Sequence, residues 1–173
     1  WANRGLNLWT VKQATITLTQ GQAQETLTSD VVDILDVVVR RNNTDYSIDR
    51  ISRGDYSGLP NKTTQGRPSQ FYFDRQIDPV INLWAVPENS TDQLIYYYVR
   101  RIDDADTLVN TTDMPFRFYP CMVAGLAYYM GMKRAPERLQ ILKSVYEEEF
   151  QRAADEDEGR TPLKLQPSIR YLR

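Results

Sequence analysis

The range of catalytic chemistry open to this sequence is limited by the lack of one residue type. The chain of 173 residues contains no histidine. Imidazole is the side chain that titrates near neutral pH without perturbation, and it is the base of Ser-His-Asp and Cys-His catalysis. The sequence therefore excludes catalysis by an imidazole base and metal sites with imidazole ligands.

Carboxylates are the remaining candidates for catalysis. Asp103 and Asp104 are adjacent, and residues 147–149 are three glutamates. Two acids about 5 to 10 Å apart suffice for glycoside hydrolysis, so a two-carboxylate hydrolase is one alternative, and it requires a pocket that raises the pKa of one acid. Residues 155–158 are all acidic but lack the loop of a calcium hand, so we interpret them as a solvated helix end.

Other binding motifs are weak. The eight glycines are scattered, without the spacing of a phosphate-binding loop, and the adhesion tripeptide at residues 53–55 is only three residues long. We predict no catalytic residue, no cofactor and no metal. The aromatic residues Phe71, Phe73, Trp84 and 96–98 could form a platform for sugars or single-stranded bases, although alternation along a strand places about half of these rings in the core.

The first hundred residues and the C-terminal part of the chain predict different secondary structure around these residues. Alternating or β-branched apolar residues predict five strands in the first hundred residues. The predicted strands are residues 14–19, 31–40, 70–74, 80–86 and 93–101. Residues 42–45 predict a hairpin turn and residues 53–68 a loop, and the last three strands are expected to form an antiparallel meander.

The C-terminal part predicts two helices. Residues 115–132 are apolar nearly all round, which indicates a buried helix that starts near Pro120, with Cys121 as a buried thiol. A second helix is expected from Pro136 to about Asp157, with one apolar face. That face comprises Leu139, Leu142, Tyr146, Phe150 and Ala153.

The two ends of the chain have their own patterns. Residues 1–9 contain two tryptophans and Gly5, which predicts the end of an N-terminal helix with a glycine cap. Residues 160–173 contain two prolines and four basic residues without an acid, which predicts an extended arm. The formal charge of −2 lacks the basic footprint of a nucleic-acid reader, and no apolar run approaches the roughly 20 residues that span a bilayer.

Five sequence motifs resemble those of the head-to-tail adaptor, or connector, proteins of tailed bacteriophages of the short-tailed type. They are RGLNLW (4–9), ISRGDY (51–56), GRP (66–68), PFRFYPCMVAGLAYYMGMKRAPER (115–138) and YEEEF (146–150). The resemblance implies an α+β fold in which a helical bundle, made by the C-terminal helices and N-terminal helices upstream, carries an inserted antiparallel β-rich subdomain. The expected division is residues 1–9 for the end of the N-terminal helices, 10–106 for the β insertion, 107–159 for a helical hairpin and 160–173 for an extended C-terminal arm.

The resemblance also implies a structural role in the virion. Such a protein forms a ring of twelve copies in the neck between head and tail, joins the portal to the tail, and continues the DNA channel for genome retention and ejection. Its expected partners are further copies, the portal, a downstream component such as a nozzle, tail tube or fibres, and duplex DNA that passes without sequence-specific binding. It is not expected to be an enzyme or to bind a membrane, and it would be made in the host cytoplasm.

The resemblance assigns portal binding to the C-terminal arm. The predicted portal-binding residues are Leu163, Lys164, Leu165, Ile169, Arg170, Tyr171, Leu172 and Arg173. The alternative function is a carbohydrate- or receptor-binding β module of a phage tail, which would leave the two C-terminal helices unexplained.

Overall fold

A computed structural model describes residues 8–103 and 110–157, which divide into two compact units between Asp113 and Met114. We name them the β unit (described residues up to 113) and the helical unit (residues 114–157). The strands are β1 (Val11–Thr17), β2 (Gln24–Thr26), β3 (Val31–Arg41), β4 (Thr44–Ser47), β5 (Asp49–Arg50), β6 (Gln65–Gly66), β7 (Gln70–Asp74), β8 (Val80–Trp84), β9 (Val86–Pro87) and β10 (Gln93–Arg100). The helices are α1 (Arg53–Gly58), α2 (Tyr119–Arg134) and α3 (Leu139–Asp157), with 3-10 turns at Leu8–Thr10, Phe116–Phe118 and Pro136–Arg138.

The β unit is built from two four-stranded sheets that share one core. The first sheet has the order β1-β10-β3-β4 and the second has the order β2-β8-β7-β5, while β6 and β9 form a small parallel pair. Leu94 and Tyr96 of β10 and Phe71 and Ile81 of the second sheet all belong to the same cluster of buried side chains. The continuous hydrophobic core of this unit therefore lies between β-sheets.

Strand β3 is longer and less regular than its sequence alone suggests. Its pairing with β10 shifts register twice, so that Val32 and Leu35 have no partner residue opposite them on β10. Each shift inserts an extra residue, as a β-bulge does, and reverses the alternation of inward and outward side chains. Val32 and Leu35 are consequently exposed, whereas Ile34 and Val37 stay in the core.

The predicted hairpin after β3 is confirmed. Asn42 and Asn43 separate β3 from β4 and have φ of 51° and 61°. Two-residue hairpin loops need positive φ at both positions to match the strand twist, and asparagine tolerates that region better than most residues. The turn thereby fixes the register in which Arg40 lies opposite Asp45.

The helical unit is an antiparallel pair made by α2 and α3, joined through Ala135 and a short 3-10 turn. Cys121 and Gly125 are buried on the side of α2 that meets α3, and Tyr146 is buried on α3. A Cβ atom built at Gly125 would lie 3.1 Å from Cε2 of Tyr146, which shows how closely the two helices approach. Among the described residues, no helix is long and apolar enough to span a membrane.

The predicted fold, a helical bundle with N-terminal helices and an inserted β subdomain, is wrong. The chain is a β-rich α+β protein with antiparallel sheets and with its long helices at the C-terminal end. At the N-terminal side, Leu8–Thr10 is a 3-10 turn that leads directly into β1, and the large core is formed by the sheets. The helical unit buries few side chains of its own, so the helices are not the centre of the fold.

The predicted positions of the strands agree with the structure better than the predicted pairing between strands. The strands predicted at residues 31–40, 70–74 and 93–101 are confirmed, and β7 and β8 pair antiparallel as the meander requires. The third strand of the meander is wrong, because β10 pairs with β1 and β3 in the other sheet. The loop predicted at residues 53–68 contains α1. The predicted domain boundaries stay a prediction, and residues 160–173 of the arm lie outside the described residues.

Candidate functional site

The acidic residues of α3 lie on exposed helix surface or form ion pairs, and Asp103 is exposed on a loop, while Asp104 and Glu158 lie outside the described residues. Glu148 and Glu149 form ion pairs with Arg152, one turn further along α3. Asp157, predicted to be solvated, is instead buried and ion-paired with Arg117 of the same unit. Within residues 8–103 and 110–157, no group of three or more Cys, Asp or Glu side chains is arranged to hold a metal ion.

One acid that the sequence analysis overlooked has a perturbed environment. Glu25 of β2 is buried, and burial raises the pKa of its carboxyl group above the ordinary value. Its Oε2 accepts a hydrogen bond from Nε2 of Gln22 at 3.2 Å, while Oε1 lacks a hydrogen-bond partner in the described part of the chain. No local sequence signal marks this position, because its burial depends on β2 pairing with β8.

The aromatic residues proposed as a platform are divided between opposite faces of the two sheets. Tyr96 and Tyr98 are buried in the core, while Tyr97 lies 44% exposed on the outer face of the first sheet. Trp84 belongs to the second sheet, where its indole Nε1 donates to the carbonyl of Asn61 at 2.9 Å. The rings do not converge, so the geometry lends no support to a single aromatic platform.

The adhesion tripeptide has a structural role. Arg53-Gly54-Asp55 forms the first turn of α1, and Ser52 is the N-cap of that helix. The Ser52 hydroxyl accepts from the backbone N–H of Asp55 at 3.2 Å, and the Asp55 carboxylate accepts from the backbone N–H of Ser52 at 3.3 Å. This reciprocal capping box uses the carboxylate that an adhesion receptor would read.

Ion pairs fasten the ends of the long strands of the β unit. Arg41, the last residue of β3, binds the buried carboxylate of Asp92 through Nη2 at 2.6 Å and binds Glu88 through Nη1 at 2.7 Å. At the end of β10, Arg100 pairs with Asp113, and this hydrogen bond holds the pKa of the Asp113 carboxyl below its usual range. These carboxylates are engaged by arginines and stabilise the framework, so their arrangement does not indicate catalysis.

The helical unit carries the most conspicuous exposed surface. Tyr119, Val123, Leu126 and Met130 recur on α2 at spacings of three and four residues, so they form one stripe along the helix. Their exposed fractions are 43%, 63%, 57% and 58%. The stripe, which we call the α2 stripe, lies about half a turn from Cys121 and therefore faces away from α3.

A second apolar patch lies on α3. Ile141 and Val145, one turn apart, are 67% and 44% exposed, and we call them the α3 ridge. Ile141 also lines a shallow groove with Gln140, Lys143, Ser144 and Glu147. Residues 115–132 were predicted to be a buried helix, and in the described chain only the side facing α3 is buried.

The predicted portal-binding residues from Leu163 to Arg173 all lie outside the described residues, so their role stays a prediction. Comparison with known proteins gives one family: the model of the SU10 adaptor protein matches residues 1–166. No curated protein matches the chain. The sequence resemblance to phage head-to-tail adaptors is therefore confirmed. The chain belongs to the SU10 adaptor protein family, and it is a structural phage adaptor protein of the head-tail junction.

Proposed function

We propose that the protein assembles into a ring that joins the portal to the tail and continues the DNA channel. The observation that carries this proposal is the exposed apolar surface of the helical unit, in a chain that belongs to an adaptor family. Apolar patches of this kind are typical of protein–protein contact sites. A chain of formal charge −2 also suits a conduit, because a strongly basic lining would bind the duplex through counterion release.

We further propose that residues 160–173 bind the portal. This segment holds five large apolar residues and four basic residues without an acid. Burying five apolar side chains would contribute about 7 to 15 kcal/mol. Ordering fourteen residues costs about 14 to 28 kcal/mol. Side-chain burial alone therefore does not hold one arm in place, and main-chain hydrogen bonds or many arms acting together must supply the remainder.

The test is native mass spectrometry of the full chain alone, of the full chain with its cognate portal, and of a variant that ends at Gly159. We expect a ring on the portal with the full chain and loss of portal binding with the truncated chain. The ring's mass also gives the number of copies. A full chain that stays monomeric in the presence of portal would contradict the proposed function.

Two matched variants separate the contributions within the arm. One replaces its basic residues Arg160, Lys164, Arg170 and Arg173 with glutamine, and the other replaces the five apolar residues with serine. If the cations contact portal acids, the first variant loses affinity most at low salt, because screening already weakens such contacts at high salt. If apolar burial dominates, the serine variant loses binding at all salt concentrations. Equal binding by both variants and the full chain would contradict the assignment of portal binding to this segment.

A further inference from the structure

The α2 stripe and the α3 ridge lie on the outer sides of a two-helix unit. Each helix uses its inner side for the other helix, as shown by Gly125 and Tyr146, so neither patch can be covered within the pair. A helix that is apolar on all sides is normally buried on all sides. The α2 stripe therefore needs a partner that lies opposite α3.

From these positions we infer that the α2 stripe of one copy packs on the α3 ridge of the next copy. This inference rests on the proposed ring and names the surface that would build it. A two-fold contact between two α2 stripes would leave both ridges exposed. A head-to-tail contact covers both patches in every copy, and repeated head-to-tail contacts are those that close into rings.

The charges around the two patches favour the same pairing. Helix α2 contains no acid, and its only charges are Lys133 and Arg134 at its C-terminal end. The ridge on α3 is followed by the acidic residues 147–149 and 155–157, and although Arg152 pairs with Glu148 and Glu149, this part of the helix stays net acidic. Apolar patches bordered by charges of opposite sign are complementary, whereas two basic α2 ends would repel each other if they were brought together.

The test uses one charge on each side of the proposed contact. Leu126→Glu and Ile141→Lys are both substitutions of exposed side chains, so each monomer should keep the far-UV circular dichroism and melting temperature of the wild type. Each variant alone would place a charge against an apolar partner in every contact. We expect each variant alone to lose the ring species in native mass spectrometry with portal.

An equimolar mixture of the two variants gives the decisive result. In alternating order, the stripe of each Leu126→Glu copy meets the ridge of an Ile141→Lys copy, so the introduced carboxylate faces the introduced ammonium group. The remaining contacts are unaltered on both sides. We therefore expect the mixture to recover a ring with an even number of alternating copies. The control is Ile77→Glu, which charges an apolar side chain of the β unit that is 90% exposed, and it should assemble as the wild type does.

The possible failures are distinguishable. If the wild type forms no ring with portal, the proposed function is overturned, and this inference with it. If the wild type forms a ring and either single variant assembles equally well, the assignment of the interface is overturned while the ring stands. If both single variants fail and their mixture also fails, the stripe does not meet the ridge, and the head-to-tail pairing is overturned.

Discussion

In the β unit, most large apolar side chains of both sheets face one shared core, whereas α2 carries apolar side chains on both its inner and its outer side. Leu83 of β8 is completely buried, and Leu126 of α2 is 57% exposed. The β unit thus buries most of its apolar surface within itself. The helical unit leaves part of its apolar surface exposed, which is what we expect of an assembly component.

The largest expected effect compares the same substitution in the two units. Leu83→Ala creates a cavity in a close-packed core and should lower the free energy of unfolding by about 2 to 5 kcal/mol. Leu126→Ala removes a side chain that is mostly exposed to water and should change the free energy of unfolding by no more than about 0.5 kcal/mol. Urea unfolding of the monomer, followed by circular dichroism, measures both.

The comparison also predicts opposite effects on assembly. Leu126→Ala should weaken ring formation on the portal while the monomer stays stable, and Leu83→Ala should lower stability while folded molecules still assemble. A large loss of monomer stability from Leu126→Ala would show that the α2 stripe is covered within the chain. That result would remove the contrast between the two units.

The positions of strands and helices could be predicted well from the sequence, but which strands pair with each other could not. Residues 70–74 alternate so clearly that β7 could be placed to the residue, and Leu139, Tyr146 and Phe150 identified the inner face of α3 from their spacing. Strand β10 was expected beside β8, but it pairs with β1 and β3. Strand alternation is a local property, whereas pairing depends on contacts between distant residues, which no periodicity reports.

Two further errors had different causes. The capping box of α1 was legible in the sequence, because Ser52 is followed three residues later by Asp55, yet the surrounding glycines and prolines favoured a loop. The apolar character of α2 predicted burial nearly all round, but in the described chain only the side facing α3 is buried. The burial of Glu25 carried no signal at all, since it follows from the pairing of β2 with β8.

A smaller effect is expected from the buried ion pair between Arg41 and Asp92 in the β unit. Asp92 is 1% exposed and accepts hydrogen bonds from Arg41, so Asp92→Asn should lower the free energy of unfolding by about 2 kcal/mol. The matched control is Asp45→Asn, which removes the exposed partner of Arg40 on the neighbouring hairpin. Exposed ion pairs are screened by water and salt, so the control should lose far less. Equal losses measured by urea unfolding would contradict a fastening role for Asp92.

The smallest effect concerns the buried carboxyl of Glu25, whose pKa is raised by burial from its ordinary value of 4.5. Below that ordinary value, the group is protonated in both the folded and the unfolded chain, so Glu25→Gln should have nearly the stability of the wild type. As the pH rises through the higher pKa of the folded state, the wild type must bury a charge and loses stability relative to the glutamine variant.

Asp113 should give the opposite dependence of stability on pH, because the hydrogen bond from Arg100 lowers the pKa of its carboxyl group. Asp113→Asn should therefore destabilise the protein at neutral pH, and the difference should disappear as the pH falls through the lowered pKa of the folded state. Urea unfolding of both variants and the wild type between about pH 3 and 8 measures the two slopes. A Glu25→Gln difference that stays constant over this range would show that Glu25 is solvated, and the β unit would then have an opening at β2 where the described structure is closed.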